Sequence, residues 1–220
     1  AVTQEHAPSG VFYIEKNDMT QAKIAMGHQG ILRDHPYYYS VVIANQILSG
    51  SFGARLFSNI RSKQGLAYDV NGGIGFQWDY PGMAILSMST KIQTTEQGID
   101  ALIAESRNMV SHPPTEDEVA NAKASILNSF VFSVDSPSKV LGKYLTYEYY
   151  GYPSTWLKTF RHGIEQVTVA QVREAAERHL RPQEFAILVV GPREGTKPAL
   201  AKYQTIQELD IRIPDPPDGA

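Results

Sequence analysis

The spacing of apolar and polar positions divides the chain into segments of two kinds. VFYIEK (11–16) is short and rich in β-formers and predicts a strand. Asn17-Asp18 supplies a turn. In QAKIAMGHQG (21–30), Ala22, Ile24 and Met26 alternate with Lys23, Ala25 and Gly27, the period of a half-buried strand. The period then lengthens. Asp34, with Pro36 close behind, is placed to cap a helix. That helix carries Tyr38, Val41, Val42, Asn45 and Leu48 at helical spacing, with Tyr39, Ile43 and Ile47 as a second row, so it is covered on more than one side. Ser49-Gly50-Ser51 breaks it. A shorter helix runs from Gly53 or Ala54 to about Lys63, and Gly65 is placed as its left-handed terminator.

Residues 66–80 read as a strand with a glycine-softened middle, Pro81-Gly82 as a turn and 83–90 as a second strand, together a hairpin. Thr94 or Thr95 heads a helix presenting Ile99, Leu102, Ile103, Ser106, Met109 and Val110, which His112-Pro113-Pro114 stops. Thr115–Glu118 is a capping box for a helix through Val119, Ala122, Ile126 and Phe130. Ser136-Pro137 opens another, with Val140, Leu141, Tyr144 and Leu145 as its apolar positions. Trp156–Phe160 reads as a short helical turn. A second capping box, Thr168–Gln171, opens a helix through Val172, Ala175, Ala176 and Leu180. EFAILVVG (184–191) is an apolar, β-branched strand, and 197–203 a last short helix. Hairpins and helix runs are segregated, which predicts an α+β domain: a mostly antiparallel sheet with helices layered on one face. No shift in composition divides the chain, so it reads as a single domain, 1–220, with a core at about 11–192 and extended ends at 1–10 and 204–220.

Composition narrows the chemistry. The chain has no cysteine, which removes disulfides, thiolate metal sites and thiol catalysis. Its formal net charge of −3 comes without any basic block, which argues against nucleic acid as a partner. No apolar run approaches the ~18 residues of a membrane helix, so membrane insertion is not expected, and no signal peptide is visible. A start at Ala1 without methionine suggests a processed protein or a piece of a longer one. No two of the six histidines have the i, i+4 spacing that puts both rings on one helix face; His28 and His35 merely flank a turn. No metal is expected in this chain. A Gly-x-Ser-x-Gly elbow and a phosphate-binding glycine-lysine loop are both absent, and the Gly-Gly-Ile-Gly at 72–75 lies within a strand with no helix after it.

Arg61 and Tyr68 remain. The proposed cap at Gly65 reverses the chain between them and can bring a guanidinium and a phenol toward one small volume. Two donors at one point suit a peptide carbonyl as it becomes an oxyanion. The simpler reading leaves Arg61 beside a helix C-terminus and Tyr68 packed in a sheet.

The stretch ILSGSFGARLFSNIRSKQGLAYDV (47–70) resembles the C-terminal-type, non-zinc-binding domain of the M16 (pitrilysin/insulinase) zinc proteases. These domains carry a glycine-rich loop, then Arg-Leu-Phe, then an Arg separated by six residues from a Tyr within Gly-Leu-Ala-Tyr. QAKIAMGHQGILRDHPYYYSVVIANQIL, PPTEDEVANAKASILNSF and EFAILVVG are similar to the family's flanking elements, in order, over about residues 11–192. The resemblance implies a pair of domains around a chamber. The partner domain holds zinc on an inverted His-x-x-Glu-His helix, and a substrate peptide adds as a strand to a sheet edge, mostly in that partner. This domain contributes Arg61 and Tyr68 to bind the substrate backbone and steady the oxyanion, and its loop, Ser49, Gly50, Ser51, Phe52 and Gly53, shapes the substrate path. Two departures stand out: the inverted zinc motif is absent, so the chain alone should hydrolyse nothing, and the loop has fewer glycines than is typical. Alternatives are a non-catalytic structural subunit of the same fold, as in respiratory complexes, and a peptide-binding module without a partner domain. A periplasmic location is expected from such relatives, with a cytoplasmic one as the alternative.

Overall fold

The structure, a computed structural model, describes residues 9–203 and 205–212. The expected polar lead-in through residue 8 and the closing residues 213–220 lie outside the described residues.

Its centre is a six-stranded sheet. The strands are β1 (Gly10–Glu15), β2 (Gln21–Gln29), β4 (Asp69–Ile74), β6 (Met83–Lys91), β7 (Ala186–Gly191) and β8 (Ile206–Glu208), in the order β4-β6-β2-β7-β1-β8. The pairs β4–β6, β6–β2 and β2–β7 are antiparallel, whereas β7–β1 and β1–β8 are parallel. The sheet is therefore mixed, with three of its five pairings antiparallel and two parallel, because the last long strand inserts between the first two. The sequence reading assigned no strand at β8.

Pairing register explains the alternation in β2. Ile24 sits opposite Met88 and Val189, and Met26 opposite Leu86 and Ile187. All six are buried, on the face that the helices cover. The opposite parity, with Gly27 facing Ile85 and Ala186, and Phe12 facing Leu188, forms the other face. No helix covers it among the described residues. With Met83 and Leu209 it lines an apolar hollow of about 360 Å³.

The covering helices are α1 (Tyr38–Ser49), α2 (Thr95–Ser111), α3 (Glu116–Phe130), α4 (Pro137–Tyr149), α5 (Trp156–Gln166) and α6 (Val169–His179). Here α2 packs on β2 and β6, and α1 packs on β4, α3 and α6. Both predicted capping boxes are present, at Thr115/Glu118 and Thr168/Gln171. Among the described residues, no helix is long and apolar enough to cross a membrane.

Several local expectations fail for identifiable reasons. Asp34 does not cap α1. It lies in a turn three residues early, and the helix begins after Tyr37, whose N–H is taken by His35 Nδ1 at 3.2 Å. The apolar positions of α4 do not all face inward: Leu141 and Leu145 are 58% and 60% exposed, and only Tyr147 is buried. Trp156–Phe160 is not an isolated turn but the start of the longer α5. The strand expected at 66–80 breaks at Gly75. Beyond it, β5 (Phe76–Gln77) leaves the main sheet and pairs in parallel with β3 (Ile31–Leu32). A Cβ at Gly75 would stand 2.3 Å from the Met83 carbonyl oxygen, so this crossing requires glycine.

Candidate functional site

The loop after α1 is shaped from both ends. The Asn45 amide reaches across to β4, donating to the Ile74 carbonyl at 2.9 Å and accepting from its N–H at 2.7 Å. Ser49 Oγ donates to the Gly72 carbonyl. These side chains occupy part of the outer edge of β4, which ends the sheet, and fix the exit of α1 against it. The Gly50 N–H closes the helix on the Gln46 carbonyl at 3.0 Å.

Past the loop, the expected α-helix is a π-helical segment, Phe57–Lys63. The Gln64 N–H reaches back five residues to Asn59 at 3.2 Å, and the Leu66 N–H reaches Ile60 at 3.1 Å. Such wide turns are rare and recur at functional sites. Gly65 ends the segment at φ +64°, the left-handed residue expected there. The chain then turns into β4, and the Tyr68 N–H joins the Ser89 carbonyl at 3.0 Å.

Arg55 anchors this segment to the helical layer. Its Nε and Nη2 donate to the two carboxylate oxygens of Glu118 at 2.8 and 2.7 Å, and its Nη1 donates to the His112 carbonyl at 2.8 Å. The bond from Arg55 is the main reason that the Glu118 carboxyl is held below the usual carboxylate range. Glu118 is also the capping-box residue of α3, so one carboxylate ties the loop to a helix start.

Between loop, π-segment and β4 lies a cleft of about 530 Å³. Ser49, Gly50, Ser51, Phe52 and Arg61 all line it. Gly53 and Tyr68 do not, although Tyr68, a residue 52% exposed, directly precedes the lining residue Asp69. Arg61 is exposed, and its guanidinium carbon lies 4.6 Å above the Phe57 ring. Phe52, 80% exposed, meets Phe57 edge-on at 5.0 Å. The arrangement is a cation on an aromatic pair, in a cleft that the first residues of β4 also line. Phe57, Asp69, Val70 and Asn71 also line it and were not identified from sequence. Strand alternation alone would have placed Asp69 and Asn71 on one side, just after Tyr68.

The described residues do not fit a zinc site. They contain no group of three or more His, Asp or Glu side chains arranged to hold a metal. His28 and His35 are each engaged elsewhere. His28 Nε2 accepts the Arg181 N–H at 3.0 Å, and its ring stacks on Phe185. His35 packs edge-on against His179, 4.8 Å between centroids.

A family profile described as "Peptidase M16 inactive domain" matches residues 1–126, more than half of the 220. The chain belongs to this family. The M16 inactive domain from Pseudomonas fluorescens has the same fold, with a TM-score of 0.76 and 29% identity over 84% of this chain and 44% of that one. In Bacillus subtilis, a protein named "Uncharacterized zinc protease YmxG" is 23% identical over 80% of this chain and 43% of its own length. A chain of complex III2 from Candida albicans shares the M16-type fold at a TM-score of 0.68 and 18% identity, over 89% of this chain and 49% of that one. The M16 domain described here therefore spans less than half the length of these relatives.

Proposed function

We propose that this M16 domain is the substrate-binding, oxyanion-stabilising half of a zinc-dependent endopeptidase that acts on peptides or unfolded proteins together with a zinc-bearing partner domain, fused or separate. The observation that carries this reading is the cleft in which the Ser49–Phe52 loop and Arg61 meet, with Tyr68 exposed at its flank. An extended peptide lies along the loop. Its scissile carbonyl oxygen accepts hydrogen bonds from the Arg61 guanidinium and the Tyr68 hydroxyl, and both strengthen as negative charge grows on that oxygen. Phe57 beneath the guanidinium limits the positions Arg61 samples, so less ordering is needed at the moment of reaction. The hydrolytic metal belongs to the partner half, since no set of ligands for it occurs among the described residues. The open apolar face around Phe12, Ile85 and Leu188 supports the pairing, because it leaves a surface for a second domain to cover.

The test is reconstitution with the family's zinc-bearing half and an unstructured reporter peptide. Arg61→Ala and Tyr68→Phe are each expected to lower the cleavage rate of an active pair by ~10²-fold while leaving the fold of this domain intact by circular dichroism. An unchanged rate refutes the assigned roles. A second reading, a non-catalytic structural subunit, draws on the shared fold of the complex III2 chain. It predicts a stable complex with a partner half and no cleavage in any pairing.

A further inference from the structure

We propose that a second hollow, between β5 and α4, is an oxyanion-binding site in which Arg33, Lys143 and Ser133 are the donors and Trp78 is a flat wall.

The small sheet of β3 and β5 builds it. The Arg33 N–H extends that pairing to the Gln77 carbonyl at 2.8 Å, which sets Arg33 beside the residue that follows Gln77, Trp78. The guanidinium carbon lies 4.2 Å from the Trp78 ring centre, 5.0 Å from Tyr38 and 5.3 Å from Phe76. Rings on several sides hold the guanidinium's orientation and strip much of its water. Its Nε is buried with no acceptor among the described residues. With Trp78, Tyr147, Ser133, Lys139 and Lys143, Arg33 lines a cavity of about 510 Å³.

The charge in this hollow is unbalanced. Among the described residues, neither Arg33 nor Lys143 forms an ion pair with a carboxylate. Lys139 is different: it pairs with Asp135 at 2.8 Å and also donates to the Phe132 carbonyl. Asp34 and Asp79 bear on the Tyr152 phenol, but neither lines the hollow. Burial first, and the charge of Arg33 second, push the Lys143 ammonium below its ordinary value, and no carboxylate offsets them. Ser133 Oγ is likewise buried and has no partner among the described residues. Partly desolvated cations are normally neutralised, and buried hydroxyls normally bonded. A carboxylate or phosphate in this hollow satisfies the guanidinium, the ammonium and the hydroxyl at once, while Trp78, stacked on Tyr150 and carrying the guanidinium, forms a rigid wall beside it. The shared chemistry is a small oxyanion. Its source is a peptide carboxylate or an inorganic or esterified phosphate. Nothing in this assignment depends on proteolysis.

Calorimetric titration of the chain at low salt tests it, with tryptophan fluorescence as a second readout, since Trp78 is one of only two tryptophans. Three probes are used: inorganic pyrophosphate, a short peptide with a free C-terminal carboxylate, and the same peptide amidated. The expected result is binding of pyrophosphate, of the free-acid peptide, or of both, weakening with added salt, and no binding of the amide. Which of the two anions binds more tightly identifies the source. Lys143→Met, on a half-exposed helical position, should weaken binding about tenfold or more, and Arg33→Gln should abolish it. Should Arg33→Gln fail to fold, Lys143→Met decides alone. Absence of binding by both anions, equal binding of the amide, or affinity unchanged in Lys143→Met overturns the proposal.

Discussion

Replacing Glu118 by Gln tests whether the loop and π-segment are held by charge. Glutamine keeps the length of the side chain and can still accept from the Thr115 N–H, now 2.9 Å from Oε2, so the capping box survives. What is lost is the doubly bonded pair with Arg55. Hydrogen bonds to charged groups contribute ~1.5–3 kcal/mol each when shielded. The side chains of Arg55 and Glu118 are 16% and 33% exposed, so solvent screening reduces the pair to about 1–2 kcal/mol in all. Unfolding entropy near 60 °C is roughly 2 cal/mol/K per residue, or about 0.5 kcal/mol/K for this chain, which turns 1.5 kcal/mol into a fall in Tm of about 3 °C. The pH dependence separates charge from shape. The folded carboxyl titrates below its unfolded value of 4.5, so its contribution is complete above that value and is lost as pH falls through the lower folded value. Melting curves of both proteins, followed by circular dichroism from pH 7 to pH 3, should therefore draw closer as pH falls below 4.5. A gap under about 0.5 °C at pH 7, or one that does not narrow as pH falls from 7 to 3, refutes the reasoning.

Gly65→Ala places a side chain at φ +64° with no heavy atom within 4 Å of its Cβ, so the cost is conformational alone, ~1–2 kcal/mol by denaturant unfolding. Gly75→Ala meets the Met83 carbonyl oxygen at 2.3 Å and should cost more, about 1–3 kcal/mol from overpacking, with loss of the β3–β5 pairing visible by NMR. Phe57→Leu keeps apolar volume but removes the ring under Arg61; in a reconstituted pair it should lower cleavage severalfold, with recovery in Phe57→Tyr. His179 is held down to about 4, by burial first and the charges of His35, Arg181 and Arg178 after it. The unfolded chain takes up its proton at about 6.5, so the folded state loses stability as pH falls from there towards 4. His179→Gln should show a smaller fall in Tm across that window, and an identical fall would exclude the burial argument.

Much of this protein is decided by local sequence. Capping boxes at Thr115 and Thr168, the alternation of Ala22, Ile24 and Met26, and the left-handed Gly65 each rest on forces acting within a few residues, and each appears where the pattern places it. The motif from Ser49 to Tyr68 was legible for the same reason: loop, short helix and reversal are contiguous in the chain. What no local pattern carries is pairing between distant strands. The insertion of β7 between β1 and β2 makes the sheet mixed, and the short β8 stands at its edge because β1 offers it an open partner. The same limit hid Asp69 as a lining residue, the inversion of the Leu141 and Leu145 stripe, and the meeting of Arg33 with Trp78 and Lys143. Periodicity states that a side chain has a face to bury. Which surface meets that face, or whether any does, depends on contacts between segments far apart in sequence, and those exist only once the chain has closed on itself.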